Sequence, residues 1–61
     1  MNERQVKAVI YVKEKGKITN KEYREMTGLS DEGVRIDVNE LIERGILLPK
    51  GKGRSIHYVL K

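Results

Sequence analysis

Two helix-start signals close together in the middle of the chain constrain the fold more than any other feature of the sequence. Thr19 has a glutamate three residues later, the spacing of a capping box, and Ser30 is a second capping residue. Such side chains accept hydrogen bonds from the free N–H groups at the start of a helix. Gly28 ends the first of these helices, and we expect Leu29 to fill the turn that follows. The pattern predicts two helices joined by a tight turn.

Another helix precedes this pair. Asn2 and Gln5 have capping-box spacing at its start, and Gly16 ends it. The second helix is predicted over residues 20–27, and Gly45 is predicted to end the third. Apolar residues at helical spacing, together with those of the later strands, are expected to form the core: Val6, Val9, Ile10, Ile18, Tyr23, Met26, Leu29, Val34, Val38, Leu41, Ile42, Leu48, Ile56 and Tyr58.

The hydrophobic period changes after Gly45. Residues 46–48 are apolar, residues 49–53 read PKGKG, and residues 54–60 alternate between apolar and polar side chains. This pattern predicts a β-hairpin with a glycine-rich turn. With a short bridge strand at Ile18, the order of elements predicts an α+β fold: a small winged helix-turn-helix domain with three helices and a two- or three-stranded antiparallel β-wing. We expect residues 1–61 to form this single domain and to be excised from a longer protein.

The absence of cysteine narrows the possible functions. It excludes disulfides, thiolate zinc sites and a cysteine nucleophile, and a small domain without disulfides is expected in a reducing cytoplasm. The apolar runs are far shorter than the roughly 20 residues of a membrane-spanning helix, so no membrane partner is expected. With 61 residues, the chain also has little room for an enclosed active site.

The net charge of +4 is unevenly distributed. Residues 30–45 include two basic and five acidic side chains, whereas residues 46–61 include four basic side chains and no acidic one. A basic surface suits nucleic acid, and the asymmetry indicates which part of the chain meets it. We predict binding to double-stranded DNA, mainly through phosphate contacts from exposed cations: Lys50, Lys52 and Arg54 in the hairpin, with Arg35, Lys21 and Arg24.

The start of the third helix carries charges of the wrong sign for DNA. Asp31 and Glu32 stand where a helix that enters a groove meets phosphate, although both also suit the positive end of a helix dipole. The alternative function is therefore a protein interaction or dimerisation domain, with contacts from this helix: Asp31, Glu32, Ile36 and Asn39. A dimer contact of the first helix through Tyr11 or Val12 is a further alternative.

No set of residues predicts catalysis or a cofactor. His57 is the only histidine and has no second imidazole or thiolate to complete a metal site. The segment KGKG at residues 50–53 lacks the spacing and the Ser or Thr of a phosphate-binding loop. Three tyrosines are too few for a base-stacking platform. We therefore predict a non-catalytic domain without metal, cofactor or small-molecule substrate.

The segments ITNKEYREMTGLS (residues 18–30) and ELIERGILLPKGKGRSIHYVL (residues 40–60) resemble a known family. They are similar to the small winged-helix module at the C-termini of RecG-like or Schlafen-AlbA-type transcriptional regulators and of some Fic-family proteins. The resemblance implies a winged-helix fold and an accessory DNA-binding or regulatory domain of a helicase-like or transcription-regulating protein. Family members often have basic or small polar residues where this chain has Asp31, Glu32, Gly33 and Ile36, and only Arg35 keeps the basic character.

Overall fold

Three α-helices and one antiparallel sheet make up the fold, and a computed structural model describes all residues from 1 to 61. The elements in chain order are α1 (Glu3–Lys15), α2 (Asn20–Thr27), α3 (Asp31–Glu43), β1 (Leu47–Lys50) and β2 (His57–Leu60). A 3₁₀ turn over Gly53–Ser55 precedes β2. This order confirms the predicted α+β class and the winged-helix layout. None of the three helices has the length and apolar character needed to cross a bilayer.

Each helix begins at its predicted capping residue. The Asn2 side chain accepts a hydrogen bond from the backbone N–H of Gln5 at 2.8 Å, and the Gln5 side chain accepts from the backbone N–H of Asn2 at 2.9 Å. Thr19 and Glu22 form the same reciprocal pair at the start of α2. The hydroxyl of Ser30 caps α3. Because these bonds join residues three apart, they can be predicted from the local sequence.

The sheet has a central strand, β2, with a different partner on each side. β1 pairs with it antiparallel, with Leu47 opposite Leu60. On the other side, Ile18 and Tyr58 exchange two backbone hydrogen bonds of 3.0 and 2.8 Å. The sheet is therefore two-stranded with a single-residue bridge at Ile18, which attaches the chain between α1 and α2 to the hairpin.

The hairpin differs from the predicted one at both strand ends. Pro49 and Lys50 were expected in the turn but pair within β1, and β2 begins only at His57 because residues 53–55 form the 3₁₀ turn. The backbone N–H of Lys61 donates to the carbonyl of Ile46. In an antiparallel pair only every second residue directs its backbone N–H and C=O groups toward the partner strand, so the backbone nitrogen of Pro49 points away from β2. A proline at such a position removes no sheet hydrogen bond, which explains why the strand continues through it.

The core is built from residues of every element. The fully buried apolar side chains are Ala8, Val12, Ile18, Tyr23, Val34, Val38, Leu41 and Leu47, and partly buried side chains pack against them: Val9, Tyr11, Met26, Leu29, Ile42, Ile46 and Tyr58. Most of the predicted core is therefore confirmed. The burial of Val12 makes the suggested dimer contact through that residue wrong.

The buried face of α1 was predicted wrongly. Val6 and Ile10 were expected in the core, but they are 41% and 49% exposed, whereas Gln5 and Ala8 are fully buried. The Gln5 amide donates to the backbone carbonyl of Asp37 in α3 at 3.2 Å. The helix is therefore rotated so that a polar and a small residue face inward, which the hydrophobic pattern alone does not indicate.

Two hairpin positions were also assigned to the wrong environment. Leu48 was expected in the core, but Leu47 is fully buried and Leu48 is only half-buried. Ile56 was expected to be buried but is 42% exposed, because it lies in the segment between the 3₁₀ turn and β2, outside the paired strands. A shift of one residue in a strand exchanges its two faces, which is why Leu47 replaces Leu48.

Gly33 allows close packing inside the helix-turn-helix unit. A methyl group at this position would lie 3.3 Å from both Cβ and Cδ2 of Leu29, which is tighter than ordinary contact. The side chain of Leu29 therefore lies directly on the backbone at the start of α3. This contact explains a glycine that costs about 1 kcal/mol of intrinsic helix propensity.

Candidate nucleic-acid interface

The wing, defined here as residues 50–54, presents three cations to solvent. Lys50 ends β1, Lys52 lies in the turn and Arg54 lies in the 3₁₀ turn, and all three are exposed. None of them takes part in an ion pair, since the four salt bridges of the structure involve other residues. Their charges are therefore available to an external anion.

Gly51 determines the path of the wing. Its φ is +84°, and a Cβ atom at this position would lie 2.4 Å from the backbone oxygen of Ser55. Only glycine accepts both the left-handed conformation and this close approach. The same oxygen lies 2.7 Å from Nδ1 of His57. The wing therefore has a defined conformation, in which Gly51 lies against the backbone of Ser55. This conformation sets the spacing of the three cations.

Two of the other predicted DNA-contacting cations are occupied by intramolecular partners. Nε of Arg24 lies 3.2 Å from Oδ1 of Asp31, and an oxygen of Glu32 accepts a hydrogen bond from Arg35 at 2.5 Å. The two carboxylates that were expected to repel phosphate thus neutralise two of the cations expected to attract it. Such exposed pairs contribute about 0 to 1 kcal/mol each, so an external phosphate can compete for these arginines. Lys21, also exposed, has no such partner.

The exposed side of α3 combines one apolar and several polar side chains. Glu32, Ile36 and Asn39 lie along the same side of the helix, since their spacings of three and four residues bring them onto one face. Ile36 is 59% exposed, and Asn39 makes no side-chain hydrogen bond. Asp31 is instead directed to α2 by its pair with Arg24. The predicted α3 contact surface is therefore divided between two sides of the helix.

A buried carboxylate on α3, Asp37, links the three helices, and it is not among the site residues predicted from the sequence. Asp37 accepts hydrogen bonds from Nε and Nη2 of Arg4 at 3.0 and 3.2 Å, from the Tyr23 hydroxyl at 3.1 Å and from the Asn2 side chain at 3.4 Å. Its position between Val34 and Val38 places it on the inner face of α3. That position was a detectable signal, because a charged residue there requires a partner.

The hydrogen bonds to Asp37 keep it ionised despite its burial. Burial by itself raises the pKa of this carboxyl, but the bonds from Arg4, Tyr23 and Asn2 together outweigh it and hold the pKa below the ordinary value. Burial and the hydrogen bond to Asp37 raise the pKa of the Tyr23 hydroxyl. Asp37 is therefore a buried carboxylate that stays charged because the Arg4 guanidinium and two further donors stabilise it.

No group of three or more His, Cys, Asp or Glu side chains is arranged to hold a metal ion. His57 is half-buried on β2, and its nearest polar partner is the backbone of Ser55.

The comparisons with known proteins concern the fold. No family model and no curated protein matches the chain. Among solved structures, the chain is similar to the DIP2311 protein from Corynebacterium diphtheriae, with a TM-score of 0.89 and 24% sequence identity. The likeness is one of fold alone. The match covers 95% of this chain and 10% of the DIP2311 chain, so the present chain spans about a tenth of that protein's length.

Proposed function

We propose that this domain is a non-catalytic module that binds double-stranded DNA through its wing. The observation that carries the proposal is the contrast between two sets of cations. Lys50, Lys52 and Arg54 are exposed and free of ion pairs, whereas Arg24 and Arg35 are paired within the chain. An anion that approaches the wing therefore meets three positive charges within five residues, none of them neutralised by a carboxylate of the chain.

The chemistry of the wing favours phosphate contacts over base recognition. Lysine and arginine on a narrow, glycine-containing turn can follow a sugar–phosphate backbone or enter a minor groove. Asp31 and Glu32 at the start of α3 disfavour deep insertion of that helix into the major groove, where most base contacts are made. Binding is therefore expected to be modest in affinity, steeply dependent on salt and weakly selective for sequence.

We also propose that the domain is part of a longer regulator or helicase-like protein that acts on DNA. The resemblance of residues 18–30 and 40–60 to the C-terminal modules of RecG-like, Schlafen-AlbA-type and some Fic-family proteins supports this proposal. The similarity to a tenth of a much longer chain also accords with a domain that works as one part of a larger protein.

The test is duplex-DNA binding by fluorescence anisotropy across a salt series. Three phosphate contacts predict a slope of log affinity against log salt of about −3, since each contributes about −0.9. For Lys52→Glu combined with Arg54→Glu we expect a loss of affinity of about tenfold and a slope near −1. A control with the same charge change on another surface, Lys13→Glu with Lys17→Glu, is expected to bind much as wild type does.

A second pair of changes tests the inhibitory role of α3. Asp31→Asn combined with Glu32→Gln releases Arg24 and Arg35 and removes two negative charges, so we expect affinity for duplex DNA to increase several-fold. No binding by wild type at low salt would refute the proposed function. Equal binding by wild type and the wing variant would refute the site.

The alternative function, a protein interaction domain, has one observation in its favour. Ile36 is the most exposed large apolar residue of the chain, and it lies beside Glu32 on an acidic helix. A basic partner protein would suit this surface. If this function is the correct one, wild type shows no DNA binding at low salt, and Ile36→Lys weakens partner binding without unfolding the domain.

A further inference from the structure

An open groove lies between α1 and α2, and no residue of the wing lines it. Its volume is about 270 Å³, and its apolar lining comes from Ile10, Tyr11 and Met26. Ile10 is 49% exposed, and Val6, one turn earlier on α1, is 41% exposed. Val6 and Ile10 thus form an exposed apolar strip on α1, whose opposite face is buried in the core.

Hydrogen bonds hold the wall of this groove in place. The hydroxyl of Tyr11 donates to Oε2 of Glu22 at 2.5 Å, and this bond is the main reason why the pKa of Tyr11 is raised and that of Glu22 lowered. Glu22 is itself held by the backbone N–H of Thr19 at 2.9 Å. The Tyr11 ring is therefore fixed between the two helices. A partner then binds a preformed surface, and little conformational entropy of the Tyr11 side chain is lost on binding.

Three charged residues line the groove, Lys7 on one side of Ile10 along α1 and Glu14 with Lys15 on the other. Neither Lys7 nor Glu14 takes part in a salt bridge within the chain. They are seven residues apart, which is about two helical turns, so they lie on the same face. A helix with this arrangement is complementary to an antiparallel copy of itself.

We propose that the partner for this groove is a second copy of the chain, and that the two α1 helices pack antiparallel about a two-fold axis between Ile10 and Tyr11. Lys7 then faces the partner's Glu14, and by symmetry Glu14 faces the partner's Lys7. Ile10 packs against the partner's Tyr11 at the centre. Each copy thus contributes the same apolar strip and one residue to each of the two ion pairs, as an isologous interface requires.

This interface leaves the proposed DNA surface accessible. On α2, Lys21 and Arg24 lie on a different side from Met26, with Arg24 about 160° around the helix from it. One pair of short helices buries less than the roughly 1,200 Å² of a stable interface, so the dimer is expected to be weak and to form only at high concentration. The inference does not depend on DNA binding.

The test measures association of the 61-residue chain by sedimentation equilibrium from micromolar to millimolar concentration. Wild type is expected to move from monomer toward dimer over this range. Lys7→Glu places like charges opposite each other, as does Glu14→Lys, so each variant alone is expected to remain monomeric. An equimolar mixture of the two restores both ion pairs and is expected to form a heterodimer with an affinity at least about tenfold above that of either variant alone.

Two substitutions of exposed isoleucines by lysine complete the experiment. Ile10→Lys is expected to abolish association, whereas Ile36→Lys, the same change at an exposed position outside the groove, is expected to leave it unchanged. Circular dichroism of each variant checks that the fold is retained. The proposal is overturned if wild type stays monomeric at millimolar concentration, or if the mixture associates no more tightly than either variant alone. It is also overturned if Ile10→Lys dimerises as well as wild type does.

Discussion

Replacement of Asp37 by alanine is expected to lower the free energy of unfolding by about 3 kcal/mol. The change removes the acceptor of four side-chain hydrogen bonds, which come from Arg4, Tyr23 and Asn2. The Tyr23 hydroxyl is then left buried without a partner, and an unpaired buried donor costs about 1 to 3 kcal/mol by itself. Because a domain of this size has only about 5 kcal/mol of stability, the variant is expected to be barely folded.

Urea unfolding at neutral pH, followed by circular dichroism, measures this loss. Glu25→Ala removes an exposed carboxylate that takes part in no salt bridge, so it is the matched control and is expected to change stability by no more than about 0.5 kcal/mol. If Asp37→Ala proves as mild as Glu25→Ala, the cluster contributes nothing to the stability of the fold.

The pH dependence of stability gives a separate signature of the same cluster. The pKa of Asp37 is lower in the folded state than its ordinary value of 3.8, so the folded protein binds a proton less readily than the unfolded chain does. The stabilisation is therefore complete above the ordinary pKa and is lost as the pH falls through the lower, folded-state value. The stability difference between wild type and Asp37→Ala should shrink over that acidic range and stay constant near neutrality.

The second large effect is expected for Leu47→Ala, with a loss of about 3 kcal/mol. Leu47 is fully buried at the start of β1, in the core cluster with residues from all three helices. Leu48, its neighbour, is only half-buried on the other face of the strand, so Leu48→Ala is expected to cost about 1 kcal/mol. The two substitutions remove the same atoms, and the difference between them isolates the effect of burial.

Chemical denaturation of the two leucine variants under identical conditions provides the comparison. A larger loss for Leu48→Ala than for Leu47→Ala would mean that the register of β1 is shifted by one residue, because such a shift exchanges the two faces of a strand. The pairing of Leu47 with Leu60 would then be wrong.

The starts of the helices were predictable because the interactions that define them are local. Asn2 bonds to Gln5, and Thr19 bonds to Glu22, each across three residues of chain. The left-handed glycines that follow the helices, Gly16 among them, belong to the same class of local signals. The positively charged wing was likewise visible in the sequence, since its cations lie within five consecutive positions.

The buried face of α1 was not predictable from its own residues. Hydrophobicity favoured Val6 and Ile10, yet Gln5 and Ala8 face inward because the Gln5 amide bonds to the backbone of α3. The pairing of the cations was not predictable from the sequence either. Arg24 is recognisable as a basic residue, but its ion pair with Asp31 depends on how α2 and α3 are placed.

The sequence by itself determined where the helices begin, that a hairpin follows them and where the positive charge is concentrated, because each of these depends on residues a few positions apart. Only the tertiary structure decided which faces are buried, that Asp37 is the buried link between the helices and which cations remain free. The physical reason is the separation along the chain of the residues that interact. Arg4 and Tyr23 lie 33 and 14 residues from Asp37 along the chain, and only folding brings their donors within hydrogen-bond distance of its carboxylate.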